Sequence, residues 1–319
     1  MPAQRARLPD GRWHFQHGPM DIVLGAEGES LAVQLAHDAA WQRFYTLLAE
    51  LVAELRALRQ PLPATGVLSP AGSRLDGRVA RRMWSACAPY RADYITPMAA
   101  VAGAVAQELI ACYHRPGVDR AWVNNGGDIA FYLTPGHAVR VGVFADLGQW
   151  GQAVAAAQDD PDGLRTDAQA EVGYESPVRG IATSGWRGRS FSLGIADSVT
   201  VMAATAAEAD AAATVVANAV DVVHAGIQRQ PANTLKDDSD LGAIPVTVEV
   251  PPLPADVVQT ALAAGLAKAQ ALQKAGLIWS ATLVCQGQWA QTLGPGATGS
   301  DHTRLRSPPH PPQLGSVFA

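Results

Sequence analysis

The sequence predicts an α+β fold, a mixed or largely antiparallel sheet packed with helices in one main domain. Three observations lead there. Helix-period and strand-period segments are mixed along the chain rather than strictly alternating, which argues against a doubly wound parallel sheet. The 319 residues are 48% hydrophobic and 17% charged, the balance of a globular chain able to bury a sizeable core. No internal repeat is visible, so a solenoid or propeller is not expected.

Residues 1–12 carry charges without an apolar run and are expected to form a flexible N-terminus with no secretory signal. Trp13–Leu24 reads as one or two short strands broken at Gly18-Pro19. From Glu29 to Arg59 apolar residues return at helical spacing (Leu31, Leu35, Phe44, Leu47, Leu51, Leu55, Leu58), and Pro61 and Pro63 end the segment. The alternation in Ser30–Leu35 would also suit an extension of the preceding strand. A loop rich in Gly, Ser and Pro, 66–77, leads to a short helix over Arg78–Ala86. Thr96-Pro97 offers an N-cap and a first-turn proline for a helix reaching about Cys112. Its interior is built of small residues, which lets other backbone or a ligand come close.

Strands are expected at Ala121–Asn124, Ile129–Leu133 and Ala138–Phe144, then a loop with a short helix over 148–177. Val178–Thr183 and Ser198–Ala203 read as strands around a glycine-rich turn, and Ala206 to about His224 as a helix. Pro245–Val250 is expected as a strand, Ala255–Lys274 as a helix and Ile278–Cys285 as a closing strand. The main domain therefore runs over 13–293. From 294 to 319 Gly, Pro, Ser and Arg dominate, and this stretch is expected to be a disordered tail.

Composition excludes several function classes. The formal net charge is −5, and the three lysines, Lys236, Lys268 and Lys274, form no basic stripe, so no nucleic-acid partner is expected. Cys87, Cys112 and Cys285 are scattered without a C-x-x-C pair, which argues against a disulfide framework and a thiolate metal site. The longest apolar stretches, around Met98–Ala106 and Val199–Ala207, are about half of what a bilayer crossing needs. These features together predict a cytoplasmic protein with no membrane association.

Three blocks could carry chemistry. Asn124-Asn125-Gly126-Gly127-Asp128 sits between two strand-like runs, where paired glycines allow positive φ and bring peptide N–H groups close to an anion. The same residues also make a favourable hairpin turn. Thr183-Ser184-Gly185, followed by Arg187 and Arg189, combines hydroxyls, backbone amides and guanidinium groups suited to a phosphate or diphosphate, or makes an ordinary polar loop. Neither the P-loop nor the G-x-G-x-x-G spacing occurs. In the helix after Ala206, Asp210, Thr214, Asn218 and Asp221 fall on one face at spacings of four, four and three. Asp210 and Thr214 could offer two hard oxygen ligands to Mg²⁺, or the whole face could be a packing interface with internal hydrogen bonds. Asp197, in Gly194-Ile195-Ala196-Asp197, is the candidate catalytic carboxylate, with a metal ligand or a turn residue as alternatives. His17 is a further candidate base, or a structural residue beside its turn.

The order of these blocks resembles that of an uncharacterised protein family related to the ApbE-type FAD:protein FMN transferases. The blocks are His17-Gly-Pro-Met-Asp21, Thr96-Pro-Met-Ala-Ala-Val-Ala-Gly103, Asn124-Asn-Gly-Gly-Asp-Ile129, Thr183-Ser-Gly185, Gly194-Ile-Ala-Asp197 and Ala209 through Val220. The resemblance covers roughly residues 13 to 285. ApbE-type enzymes set a Gly-Gly-Asp turn, a Ser/Thr-Ser-Gly turn and an Asp-x-x-x-Thr helix around FAD and a divalent metal. Gly126-Gly127-Asp128, Thr183-Ser184-Gly185 and Asp210-x-x-x-Thr214 look like the counterparts. The resemblance thus implies an ApbE-like fold, FAD or a related flavin nucleotide held by Asn124, Asn125, Gly126, Gly127, Asp128, Thr183, Ser184 and Gly185, and Mg²⁺ on Asp210 and Thr214. It also implies transfer of FMN to a hydroxyl of a protein acceptor. Where those enzymes carry His-x-I-x-D-P, this chain has Ser192-Leu-Gly-Ile-Ala-Asp197, and Ala102-Gly103 stands where they carry Lys-Gly. A non-catalytic module that holds a cofactor for a redox or sulfur-metabolic partner is the alternative. The small-residue helices at 97–112 and 206–224 suit close packing inside a subunit or across a homodimer.

Overall fold

Neighbouring residues of the central strands enter opposite cores: Val123 joins one apolar cluster and Trp122 another, as do Ala130 and Ile129, or Ala182 and Ile181. That period-two sorting requires a sheet covered on both faces. The computed structural model describes residues 2–65, 75–143, 168–292, 294 and 316–318. Its strands, in chain order, are β1 (Gln4–Arg7), β2 (Trp13–His17), β3 (Met20–Gly28), β4 (Val118–Asn125), β5 (Asp128–Leu133), β6 (Ala138–Val143) and β7 (Ala168–Gly173). There follow β8 (Gly180–Ser184), β9 (Ser198–Ala203), β10 (Gln228–Pro231), β11 (Pro245–Glu249), β12 (Ser280–Cys285), β13 (Gln288–Gln291) and β14 (Ser316–Phe318).

Nine strands form one sheet in the order β1-β2-β3-β4-β5-β8-β9-β12-β13. Every pairing in it is antiparallel. A three-stranded sheet, β14-β6-β7, supplies Val139, Val141 and Val172 to the smaller core on one face. Helices cover the other face: α1 (Ser30–Ala53), the short α2 (Leu55–Leu58), α3 (Arg78–Cys87), α4 (Val101–Ile110), α5 (Ala206–Ala219), the short α6 (Ala232–Leu235) and α7 (Ala255–Lys274). The α+β class, the antiparallel sheet and the single main domain agree with the sequence.

Several boundaries differ for physical reasons. Gln4–Arg7, expected in a flexible N-terminus, is edge strand β1, held by main-chain pairing to β2 with all four residues exposed. Ser316–Phe318, expected in a disordered tail, pairs in parallel with β6, and 295–315 lie outside the described residues. The expected loop and short helix over 148–177 is described from Ala168, where β7 begins. Ser30–Leu35 is helical and does not extend the strand. The helix expected from Thr96 is broken at Ala100, where φ is −127° and ψ 16°. Pro97–Ala100 is a tight 3₁₀ turn, and the Thr96 hydroxyl bonds Asp240 instead of capping it. The helix expected to reach His224 ends at Ala219, because the Val220 carbonyl is taken by the Ile195 N–H (2.8 Å). Nor does β12 close the sheet, since β13 lies outside it.

Two buried polar groups anchor the helical layer. Glu108 is fully buried on α4 and accepts from Arg43, Arg78 and Arg82. Burial alone would raise its pKa, but the three guanidinium groups outweigh burial and hold it at about 2. His37 on α1 meets the Tyr113 hydroxyl at 2.7 Å, and burial, with help from Arg7, pushes its pKa down to about 4. The folded state therefore keeps His37 neutral where the unfolded chain protonates it. This contribution is complete above pH 6.5 and is lost as pH falls from 6.5 toward 4, with a slope of up to about 1.4 kcal/mol per pH unit. Urea titrations across that window should show the loss in the native chain and a flatter profile in His37→Gln.

Candidate functional site

Registers bring the sequence blocks to one end of the nine-stranded sheet. Asn125 pairs with Ile22 on one side and Asp128 on the other, so the Asn124–Asp128 segment is the β4–β5 hairpin turn. Gly126 and Gly127 take φ of 68° and 111°, which side-chain-bearing residues rarely adopt. The Asn124 side-chain oxygen accepts the Gly127 N–H at 2.8 Å and closes the turn. The hairpin reading is therefore correct for this block, and it leaves open what the turn faces. Thr183-Ser184-Gly185 ends β8 beside it, the Thr183 N–H reaching an Asp128 carboxylate oxygen at 3.3 Å.

Alternation divides these residues between the two faces. Thr183 lies on the side of Ile181, and its hydroxyl meets that of Thr200 at 2.9 Å. Asn125 and Asp128 lie on the helix side, where the Asn125 amide donates to the Ala102 carbonyl at 3.1 Å. There they meet Asp210. The small residues of α4 and α5 make this possible. A Cβ on Gly103 would overlap the Ala206 carbonyl and lie 2.9 Å from the Asp210 Cβ, so the two helices touch backbone to side chain.

Asp210 accepts the Gly103 N–H at 2.9 Å and also the Ala102 N–H. Those amides belong to the first turn of α4, so Asp210 caps that helix from another element. Burial raises its pKa to about 7, against the lowering by the two amides. Asp128 is also raised, first by burial and then by the charge of Asp210, while the Thr183 N–H lowers it. Buried Asp128 and partly buried Asp210 thus share a site that is costly while both are charged, a cost a cation would relieve. Thr214 stands one turn along α5 and is partly buried. The donor set is hard oxygen, which suits Mg²⁺ rather than Zn²⁺. Among the described residues no group of three or more His, Cys, Asp or Glu is placed to hold a metal.

The rest of the expected polar face is structural. Asn218 accepts the Leu193 N–H at 2.9 Å, and Asp221, past the end of α5, pairs with Arg229. Asp197 is buried on the β8–β9 connection. One carboxylate oxygen accepts from the Trp186 indole N–H at 3.3 Å and the other from the Gln286 N–H in the β12–β13 turn. It ties two loops of the site end together. The His17 ring packs edge-on to Phe44 under α1, its centroid 6.2 Å away.

Two features at the site end depend on distant parts of the chain. Arg189 donates to the Pro19 carbonyl at 3.0 Å, and its guanidinium lies 3.1 Å from where a Gly126 Cβ would be. It therefore bridges the β2–β3 and β4–β5 turns. Arg187 lies over the Trp186 ring at 4.8 Å, so the loop presents a cation on an aromatic plane. The Arg187–Arg189 run was readable in the sequence, but the Trp186–Asp197 bond and the capping of α4 by Asp210 were not.

Known proteins provide an independent comparison. The crystal structure of the ApbE protein from Thermotoga maritima is similar, with a TM-score of 0.50 over 95% of this chain and 99% of that one, at 12% identity. That likeness concerns the fold. UPF0280 proteins from methanogens are similar in sequence. The protein of Methanospirillum hungatei is 35% identical over 129 residues, 40% of this chain and 46% of that protein. The protein of Methanopyrus kandleri is 37% identical over 155 residues, 47% of this chain and 54% of that protein. The chain thus spans about half the length of the curated relatives it matches. The family described as AbpE bacteria matches residues 5–291, nearly the whole described domain, and the chain belongs to that uncharacterised, ApbE-related family.

Proposed function

We propose that this chain binds a flavin nucleotide, FAD or a close relative, together with Mg²⁺, and performs transferase-like chemistry on the diphosphate. The observation that carries the reading is the meeting of buried Asp128 with partly buried Asp210 at the end of the sheet that holds the Gly126-Gly127 turn, two carboxylates that burial and their mutual repulsion leave short of a cation. When bound, Mg²⁺ would offset charge on the diphosphate oxygens. Asp210 and Thr214 would hold it, with Asp128 beside them. The Gly126 amide, Arg187 and Arg189 would orient the phosphates, and Asn124, Asn125, Gly127, Thr183, Ser184 and Gly185 would shape the cradle. In the transfer, an acceptor hydroxyl oxygen would bond to the FMN phosphorus as the diphosphate bridge breaks. AMP would leave with the bridging oxygen, and the hydroxyl proton would pass to a carboxylate.

One observation favours a second reading, a cofactor-holding module without turnover. Asp197, the sequence candidate for the catalytic carboxylate, has one oxygen on Trp186 and the other on Gln286. We assign it to positioning the Trp186–Arg187 loop. Asp197→Asn should then raise the dissociation constant for FAD about tenfold, by analogy with lost outer-shell partners. Unchanged affinity with lost turnover would make Asp197 the base. Incubation with FAD, Mg²⁺ and a hydroxyl-bearing protein acceptor, followed by assay for AMP, separates transferase from module. AMP release supports transfer, and tight binding without AMP supports the module.

A further inference from the structure

The outward face of α1 is built for a partner. Its inward face carries Ala36, Ala40, Phe44, Leu47 and Leu51, all buried. On the opposite side Leu31, Leu35, Asp38, Gln42, Tyr45, Ala49 and Val52 recur at alternating spacings of four and three, the seam period of paired helices. Leu31 is 69% exposed, Leu35 51%, Tyr45 58% and Val52 57%. These are four of the nine exposed large hydrophobic side chains among the described residues, so the pattern is concentrated on one stripe. A helix facing water ordinarily carries Lys, Glu and Arg there. Here the seam has one charge, Asp38, paired with Arg5 at 3.2 Å, while Arg43 and Glu50 bond each other beside Glu108.

We propose that α1 is a homodimer interface in which two copies of the chain pair their α1 helices antiparallel about a two-fold axis near Gln42. The seam is self-complementary in that arrangement. Leu31 falls opposite the partner's Val52, Leu35 opposite the partner's Ala49, and Asp38 opposite the partner's Tyr45, whose hydroxyl can donate to it. Gln42 meets its own copy, amide to amide. Leu35 faces the small Ala49, and each pair recurs in reverse on the other side of the axis, as an isologous contact requires. Ala49 within the seam and Ala53 at its end are exposed and let the helices approach closely.

Charge selects the same occupant. Two copies that each carry a net −5 can meet here without opposing like charges, because Asp38 is neutralised within its own chain. A membrane surface would call for several Lys or Arg free to meet it beside the apolar stripe; the helix flanks here are Ala, Gln, Thr, Trp and Leu, and Arg5 of β1, which lies over Trp41, is held by Asp38. The helices that sequence reading offered for a dimer, α4 and α5, pack against each other inside the subunit.

Light scattering on the whole chain tests the proposal. The expected mass is twice the 33.4 kDa of one chain, and Leu35→Glu and Tyr45→Glu should each weaken dimerisation by about 30-fold or more. Circular dichroism of both variants checks that they fold. Gln42→Cys, treated with a short bis-maleimide, should crosslink to a dimer beyond the wild-type background, whereas Leu31→Cys should not. A monomeric wild type, a dimer untouched by both substitutions, or equal crosslinking from positions 31 and 42 would each overturn the proposal.

Discussion

Asp210→Asn is expected to raise the dissociation constant for FAD in the presence of Mg²⁺ by about 100-fold or more, while binding without the metal changes little. Loss of an outer-shell partner alone costs about 10–100-fold in metal affinity, and a direct ligand is worth more. Asparagine retains an oxygen for the Gly103 N–H, so the α4 cap persists and the variant should fold. Alanine would also strand that amide, at a cost of about 1–3 kcal/mol, and would confuse lost binding with lost stability. Protonation provides a second readout. The Asp210 pKa is raised to about 7, so in the native chain Mg²⁺ must displace a proton below that pH. Metal affinity should therefore climb as pH rises from 5.5 toward about 7 and then level. Calorimetry in buffers of different ionisation enthalpy would register the released proton. A pH-independent affinity would remove Asp210 from the metal site.

Gly103→Ala is expected to destabilise the chain by about 3 kcal/mol and to weaken Mg²⁺-dependent binding along with it. The added methyl would collide with the Ala206 carbonyl and press on the Asp210 Cβ. Neither neighbour is the free end of a flexible side chain. Overpacking of this kind costs about 1–3 kcal/mol, and backbone contact places Gly103 at the upper end. Gly180→Ala makes a useful comparison, because its methyl would strike the backbone of Thr205 and Ala206, at the start of α5. Both should lower the urea midpoint. If Gly103→Ala were neutral in stability and in binding, the close contact of α4 and α5 would not be what sets Asp210.

How much of this was legible in the sequence depends on what kind of force holds each part. Strands and helices that bury apolar faces stand out by period: Ala255–Lys274 is helical from the first expected residue to the last. β1 was missed because Gln4-Arg-Ala-Arg7 has no apolar period, and its place comes from main-chain bonds to β2. The end of α5 was overrun because Asp221 continues the polar spacing of the helix face past Ala219, whereas Val220, Val222 and Val223 are weak helix formers and the Val220 carbonyl is drawn off by Ile195 from another loop. In the candidate site, the turn glycines of 124–128 and the hydroxyls of 183–184 were visible because local backbone chemistry selects them. The meeting of Asp128 with Asp210 was not, since it depends on which faces of β5 and α5 turn toward each other. Nor was the use of Asp197 as a tie to Gln286, 89 residues away.

Calorimetric titration of the chain with FAD, with and without Mg²⁺, tests the flavin-nucleotide site most directly. Such a site predicts saturable binding that strengthens at least tenfold when the metal is added, as expected where diphosphate and carboxylates share one cation. Binding of equal affinity with and without Mg²⁺, or no binding at all, would contradict it and leave the family relationship as one of shared architecture.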